Sequence, residues 1–231
     1  AGGRTADGDR AGEYEVVCDF LVGADGTRSA VRCQLGIADF ARYVTLQDYC
    51  VREGAIDPVF DCFWFSGIKE FGIGYVIPKD ERVLVGLVYY PGTKSAHVLQ
   101  DRALERLRRV LPIGASIKRE AWIAPKIERQ SDVATGRGAV LLAGEAGGFI
   151  SPTSGEGISW ALTSGRAAGK AIAAHAENAH AAADDYAAAT AGLRRDIARR
   201  LRWYPAMNSR LGKTFAGFVP ASIVSHFTHN L

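Results

Sequence analysis

Val140-Leu141-Leu142-Ala143-Gly144-Glu145-Ala146-Gly147-Gly148-Phe149-Ile150-Ser151-Pro152-Thr153-Ser154-Gly155-Glu156-Gly157-Ile158 is the stretch on which the fold turns. Residues 139–143 are short, fully apolar and stopped by glycine, the pattern of a buried strand. Such a strand carries the Glu145 carboxylate to the C-terminal edge of a sheet, where open α/β folds place their ligands. Gly147 and Gly148 would let a ligand approach the backbone closely. Gly155, Glu156, Gly157 and Ile158 open a helix expected to begin near Ser154 and to run to about His175. The first peptide N–H groups of a helix lack intrahelical partners and favour a negative charge or a polarised carbonyl. A glycine-rich turn that serves tight packing alone is the competing reading. The coincidence of strand end, carboxylate, paired glycines and helix start favours a ligand loop.

Toward the N-terminus, residues 14–23 form a second apolar run ending at glycine, with Val16, Val17, Phe20, Leu21 and Val22. It predicts another buried strand. Ala24-Asp25-Gly26-Thr27-Arg28-Ser29 follows as a turn, then a helical turn through Val31, Arg32 and Leu35. Between the two junctions, residues 44–51, 59–65, 72–77 and 83–90 are rich in aromatic and β-branched side chains. Short turns at Gly54, Asp57-Pro58, Gly67 and Lys79-Asp80-Glu81 separate them, which predicts an antiparallel sheet. Residues 95–110 have the spacing of an amphipathic helix stopped by Pro112, and residues 117–123 form a further strand candidate. Beyond His175, an alanine-rich helix is expected over residues 181–203, broken by Pro205, with an amphipathic stretch over 206–227. Residues 1–13 read as a loop. The expected fold class is α/β with α+β character. Residues 1–42 and 112–176 would form a ligand-binding layer, 43–111 an antiparallel sheet domain, and 177–231 C-terminal helices.

With 231 residues, 48% hydrophobic and 23% charged, the chain can bury one good core or two small ones. The net charge of +3 is too small to argue for nucleic acid. Arg102, Arg106, Arg108 and Arg109, and Arg194, Arg195, Arg199 and Arg200, sit at helical spacing and read as solvated faces. The minority reading is a patch for anionic lipid or a pyridine-nucleotide phosphate. Cys18, Cys33, Cys50 and Cys62 form no C-x-x-C pair and have no histidine at ligand spacing, so they read as small buried hydrophobes. No metal site is expected. No run has the length of a membrane span and no secretory leader is visible, which places the chain in the cytoplasm, with peripheral membrane contact as the variant.

The stretch around Gly144 resembles the second FAD-binding motif of the glutathione-reductase-type flavoprotein monooxygenase superfamily, G-D-A-A-G…P-x-x-G-x-G. Residues 20–32 resemble its G-A-D-G-x-x-S-x-V-R motif, in the family's order and with a family-like separation. Within the superfamily, Pro152-Thr153-Ser154-Gly155-Glu156-Gly157-Ile158 is most similar to the geranylgeranyl reductase branch. Gly72-Ile73-Gly74-Tyr75-Val76-Ile77-Pro78-Lys79 is similar to that branch's G-Y-G-W-x-F-P-K element. The resemblance implies FAD as cofactor, with NAD(P)H as a candidate electron donor. It places Asp25 and Gly26 near the pyrophosphate and ribityl region, with Arg28 supporting that loop electrostatically. Gly144, Ala146 and Gly147 belong to the same cofactor loop. Glu145 takes the place of the aspartate that hydrogen-bonds a ribityl hydroxyl. Pro152 would lie along the flavin face. Gly155, Gly157 and Ile158 would offer backbone N–H groups near the pyrimidine, with Glu156 beside them. Tyr75, Ile77 and Pro78 would line an apolar substrate cavity under the sheet.

The family binds the ADP half of FAD with a G-x-G-x-x-G turn between a strand and a helix. No such turn follows an apolar strand here, and Gly72-Ile73-Gly74 runs on into strand-like sequence. The chain is therefore expected to be part of a longer enzyme, lacking the adenine-binding unit. The resemblance implies an oxidoreductase that reduces alkenes of a prenyl or other small apolar substrate. A flavin hydroxylase of aromatic or polyketide substrates is the alternative, and a non-catalytic ligand- or partner-binding fragment is an alternative of another class. Glu156 and Tyr75 are candidate proton donors, although a glutamate at a helix start more often serves as a cap.

Overall fold

The computed structural model describes residues 15–63 and 71–208. The loop over residues 1–13, Tyr14, the strand positions Trp64 and Phe65, the turn at Gly67 and the stretch 209–227 lie outside them. The strand-rich middle of the sequence forms β2 (Ala41–Arg52), β3 (Asp61–Phe63), β4 (Phe71–Lys79) and β5 (Arg82–Tyr89), and β6 (Ile113–Lys126) follows the helix α2 (Ala96–Leu107). They make one five-stranded sheet in the order β3-β4-β5-β2-β6, antiparallel throughout. β6 pairs with β2 from Ala41↔Lys126 to Arg52↔Ile113. The sheet thus draws in residues on both sides of the 43–111 stretch.

Strand alternation gives this sheet two unlike faces. Leu46 and Cys50 of β2 and Val83, Val85, Leu87 and Tyr89 of β5 are buried, and they pack with Leu99, Ala103, Leu104 and Leu107 of α2. Those four helix positions recur at three- and four-residue steps, the stripe that an amphipathic helix lays on a sheet. Asp48 points into the same core and is fully buried. Its carboxylate accepts from Ser116 Oγ at 2.6 Å, Gln100 Nε2 at 2.7 Å and Arg119 Nε at 3.0 and 3.1 Å. Gln100 Oε1 in turn accepts from Tyr89 O–H at 2.9 Å. A buried charge is tolerable only when its lone pairs are satisfied in this way.

The second sheet is small: β1 (Leu21–Gly23), β8 (Val140–Leu142) and β7 (Gly136–Arg137), in the order β1-β8-β7. β1 runs parallel to β8. The strand expected over residues 14–23 is reduced to three residues, and Val16 and Val17 are 69% and 91% exposed. β8 offers only three residues to pair with, so nothing holds the earlier part extended in a ladder. Three helices follow: α3 (Ile158–Ala174), α4 (Ala179–Ala189) and α5 (Ala191–Asn208). Trp160, Ala168 and Ala171 of α3, Tyr186 of α4 and Ile197 of α5 enclose a second core with Phe40, Ile127, Leu141, Phe149 and Ile150.

Three helix boundaries differ from the sequence expectation. α3 starts at Ile158 and not near Ser154, because residues 151–156 close on themselves: Ser151 N donates to Glu156 O and Gly155 N to Ser151 O. Gly155 sits at φ +71°, a left-handed conformation incompatible with a right-handed helix. The long helix expected over 181–203 is divided at Thr190, a buried residue whose hydroxyl bonds back to Tyr186 O at 2.8 Å. Such back-bonding competes with the helix ladder. Pro205 does not break the chain there, since α5 continues to Asn208; a proline deletes one N–H and kinks a helix without always ending it. Of the four free cysteines, Cys50 is buried and Cys62 half-buried, whereas Cys18 and Cys33 are exposed.

Candidate functional site: a cleft between two strand ends and a helix start

The parallel register Leu21↔Val140, Val22↔Leu141, Gly23↔Leu142 makes β1 and β8 end level. Their following loops, Ala24-Asp25-Gly26 and Ala143-Gly144-Glu145, therefore open at the same sheet edge. α3 is drawn against this edge by a buried hydroxyl. Ser164 Oγ accepts from Gly144 N at 2.9 Å and donates to Trp160 O at 2.8 Å. Tyr186 O–H clamps the strand from α4 with a 2.6 Å bond to Leu142 O.

A cleft of about 410 Å³ lies among these parts. Ala24 and Gly26 line it from the first loop, Ala143, Gly144 and Glu145 from the second, and Gly155, Gly157, Ile158, Ala161 and Gly165 from the start of α3. The wall is built almost wholly of residues with one side-chain carbon or none. Gly26 has φ +77°, and a Cβ placed there, or on Gly155 or Gly165, would meet nothing within 4 Å. The space in front of them is open. Glu145 is the one charged residue among those lining the cleft, and Ile158 is 79% exposed.

The other cofactor-loop residues expected from sequence stand elsewhere. Asp25 Oδ2 accepts from Ala30 N at 2.7 Å and Val31 N at 3.2 Å, so it caps α1 (Ala30–Gln34). Burial alone would raise its carboxyl pKa, but hydrogen bonds from Ser29 and from the N–H groups of Val31 and Ala30 hold it below the ordinary value. Arg28 is exposed. Ala146 is buried, with its carbonyl accepting from Arg32 Nη1 at 3.1 Å. Gly147 and Gly148 do not leave the backbone open: a Cβ would lie 2.7 Å from the Phe149 ring on the first and 2.7 Å from Asp132 O on the second. At these two positions packing by itself requires glycine. Pro152 is buried in the loop and is not among the residues lining the cleft. Glu156 caps α3, its Oε1 accepting from Ser159 N at 2.9 Å and Ser159 Oγ at 2.8 Å.

Two residues quoted in the first motif but given no role in the sequence reading carry much of the geometry. Thr27 is buried and its hydroxyl is hydrogen-bonded to the Glu145 carboxylate, with the Ile123 carbonyl 3.3 Å away on β6. Arg32 is 3% exposed. It donates to Ala38 O at 2.9 and 2.7 Å, to Ala146 O at 3.1 Å and to Asp132 O at 2.9 Å, with Phe40 4.5 Å beneath its guanidinium. Its five donors in a rigid fork suit it to this bridging task.

On the five-stranded sheet, Tyr75 pairs with Gly86 and Ile77 with Leu84, whereas Pro78 pairs with Val83. Tyr75 and Ile77 therefore share the face away from α2, and Pro78 lies on the α2 side. The three do not form one wall. Tyr75 donates to Gln47 Oε1 at 3.0 Å, stacks on Phe60 at 5.5 Å and lies across Gly86, where a Cβ would sit 2.0 Å from its Cζ. Burial, and then the neighbouring Tyr49, push its phenol pKa up. Trp122, 57% exposed, is paired with Thr45 on the same face. Gly72-Ile73-Gly74 lies within β4, as its sequence context implied.

A family model described as FAD binding domain matches residues 3–200. The chain belongs to that family. Its architecture is α/β. It is 31% identical over 183 residues to geranylgeranyl diphosphate reductase, chloroplastic, from Oryza sativa subsp. japonica, covering 75% of this chain and 38% of the relative. It is 30% identical over 154 residues to Protein CbrA of Escherichia coli O139:H28, covering 66% and 42%. The fold is similar to that of a geranylgeranyl bacteriochlorophyll reductase-like protein from Thermoplasma acidophilum, with a TM-score of 0.66 at 15% identity, over 82% of this chain and 50% of that one. It is also similar to pqsL, a probable FAD-dependent monooxygenase from Pseudomonas aeruginosa, with a TM-score of 0.60 at 18% identity, over 94% and 62%. The chain thus spans about two fifths of the length of these curated relatives.

Proposed function

We propose that this chain forms the flavin-side portion of an FAD-dependent reductase that acts on alkenes of a prenyl or isoprenoid substrate, with NAD(P)H as electron donor. The observation that carries the flavin part is the convergence of Gly26, Gly144, Glu145 and the Gly155–Ile158 helix start on one small-walled cleft. FAD bound there would supply a ring system that takes up and passes on a hydride. Glu145 is suited to accept from a ribityl hydroxyl, and the open backbone at Gly26 and Gly155 admits close approach. Ser159 N is already taken by Glu156, and it is the positive end of the α3 dipole that favours the negative charge developing on reduction.

Support for the reductase reading is the relation to the rice geranylgeranyl diphosphate reductase and the Pro152–Ile158 loop of that branch. The sheet face bearing Tyr75, Ile77 and Trp122 suits an apolar chain. Tyr75 keeps its proton well past neutral pH, so it is a candidate proton donor; Glu156 is committed to Ser159. Among the described residues, no helix is long and apolar enough to cross a membrane, and a prenyl-lipid substrate would be met by peripheral contact.

The test is reconstitution. The purified protein should turn yellow with FAD, and the holoenzyme, given NADPH without oxygen, should saturate double bonds of geranylgeranyl diphosphate, read by mass spectrometry. Oxygen-dependent hydroxylation with no alkene reduction would replace the reductase with a monooxygenase. A protein that stays colourless with FAD would sink both.

A further inference from the structure

α5 lies at the end of the family match and reaches the loop that leads into α3. Its buried Ile197 anchors it in the second core. One turn on, Arg200 is aimed by its own helix, donating from Nε to Asp196 Oδ2 at 2.9 Å. Its Nη1 lies 3.3 Å from Ser151 Oγ and 3.5 Å from Thr153 Oγ1, and its guanidinium carbon stands 5.7 Å over the Trp160 ring.

Ser151 is 3% exposed and is the hub of that loop. Its Oγ accepts from Ser154 N at 3.2 Å and Ser154 Oγ at 2.8 Å, and it lies 3.3 Å from Thr153 Oγ1. Its backbone closes the turn at both ends, to Glu156 O at 2.8 Å and from Gly155 N at 3.0 Å. The loop so closed delivers Gly155 and Gly157 to the cleft.

We propose that Arg200 is a positioning residue: from α5 it clasps the Ser151–Thr153 hydroxyls and the Trp160 ring, and so sets the conformation in which Gly155 and Gly157 form the cofactor wall. This rests on the reading of the cleft as the flavin site. The charged donor thus faces a hydroxyl cluster on one side and an aromatic ring on the other, from a side chain 38% exposed.

Two readouts test it. The first needs no cofactor: in Arg200→Ala, amide hydrogen exchange across residues 154–157 should speed up roughly tenfold, the equivalent of losing one charged hydrogen bond, while α5 stays protected. The second uses the FAD-loaded full-length protein. Arg200→Ala should weaken FAD about tenfold on the same grounds and shift the flavin midpoint potential, and Arg200→Lys should recover part of both. Ser151→Ala, which removes the hydroxyl that Arg200 and Ser154 share, should speed exchange at least as much as Arg200→Ala. Arg195→Ala, on the exposed side of α5, should change neither readout. Unchanged loop exchange and unchanged potential, with only a lower melting temperature, would overturn the proposal and make Arg200 a packing residue. If the unaltered protein binds no FAD, the flavin reading fails, and the exchange measurement alone decides whether the clasp exists.

Discussion

The Thr27 hydroxyl and the Glu145 carboxylate are hydrogen-bonded across 118 residues of sequence, and the same hydroxyl stands 3.3 Å from the Ile123 carbonyl of β6. One buried oxygen thus ties together the two loops that line the cleft and the edge of the five-stranded sheet. A glutamate is one methylene longer than the aspartate of the family motif, and this contact fixes where the extra length goes. Thr27→Ala leaves the carboxylate unheld, a loss of about 1 kcal/mol. FAD affinity should fall roughly fivefold to tenfold in a flavin-fluorescence titration, with little change in melting temperature. An unchanged titration would remove Thr27 from the site.

Gly157→Asp separates stability from binding. Gly157 is the N-cap of α3, and a Cβ there meets only Ile150, at 3.4 Å, an ordinary contact. Aspartate is a favoured N-cap, so the melting temperature should hold or rise. The added charge would stand at the helix start beside the cleft that Gly157 lines, and FAD affinity should drop by more than about tenfold. Undiminished affinity would show that the helix start is not used.

Gly86→Ala addresses the sheet face. The new methyl group would occupy the place of the Tyr75 ring, which must swing away from Gln47 and Phe60. The expected outcome is a changed KM for the apolar substrate with FAD affinity intact. If KM is unaffected, Tyr75 does not meet substrate.

Asp48→Ala tests the buried polar network under α2. It removes the acceptor shared by Ser116, Gln100 and Arg119 and leaves a partly buried guanidinium without its inner partner. The cost is about 3–5 kcal/mol, to be read from urea denaturation of the cofactor-free protein. A loss under about 1 kcal/mol would mean that Arg119 is held adequately by exposed Asp101 alone.

Cys50 gives the alkaline limb of stability. Burial, and then the nearby Asp48 carboxylate, push its thiol pKa up from 9.0 to about 11. With the folded value raised, its contribution is complete below pH 9 and is lost as the pH climbs through about 11. Unfolding free energy should therefore decline in that window, by up to about 1.4 kcal/mol per pH unit from this group. Cys50→Ala should flatten the slope, and an equal slope in both proteins would contradict the assignment.

The sequence reading went furthest where a pattern is local. Aromatic and β-branched runs between short turns located β2 to β5, the apolar stop at Gly144 located β8, and the spacing of Leu99, Leu104 and Leu107 located α2. It went astray where a partner decides the outcome. Val16 and Val17 look like strand residues, but β8 is too short to pair with them. The helix start near Ser154 is a fair reading of the local sequence until the closed turn through Gly155 is known. Gly147 and Gly148 look like cofactor glycines, yet Phe149 and the Asp132 carbonyl occupy the space beside them. The residues that hold the site were the least legible. Arg32 meets Ala146 at a separation of 114 residues and Arg200 meets Ser151 at 49, and no spacing rule connects such pairs.

The parallel pairing of β1 with β8 has a consequence for how the protein comes into being. The whole five-stranded sheet is threaded between these strands, so their meeting closes a very long chain loop, whose entropy must be lost before the contact returns anything. The cleft should accordingly be the last part of the molecule to assemble. The antiparallel sheet with α2, whose neighbours are nearer in sequence, should condense ahead of it. A ligand that bridges both strand ends then acts as a kinetic latch, slowing reopening of the junction that formed last.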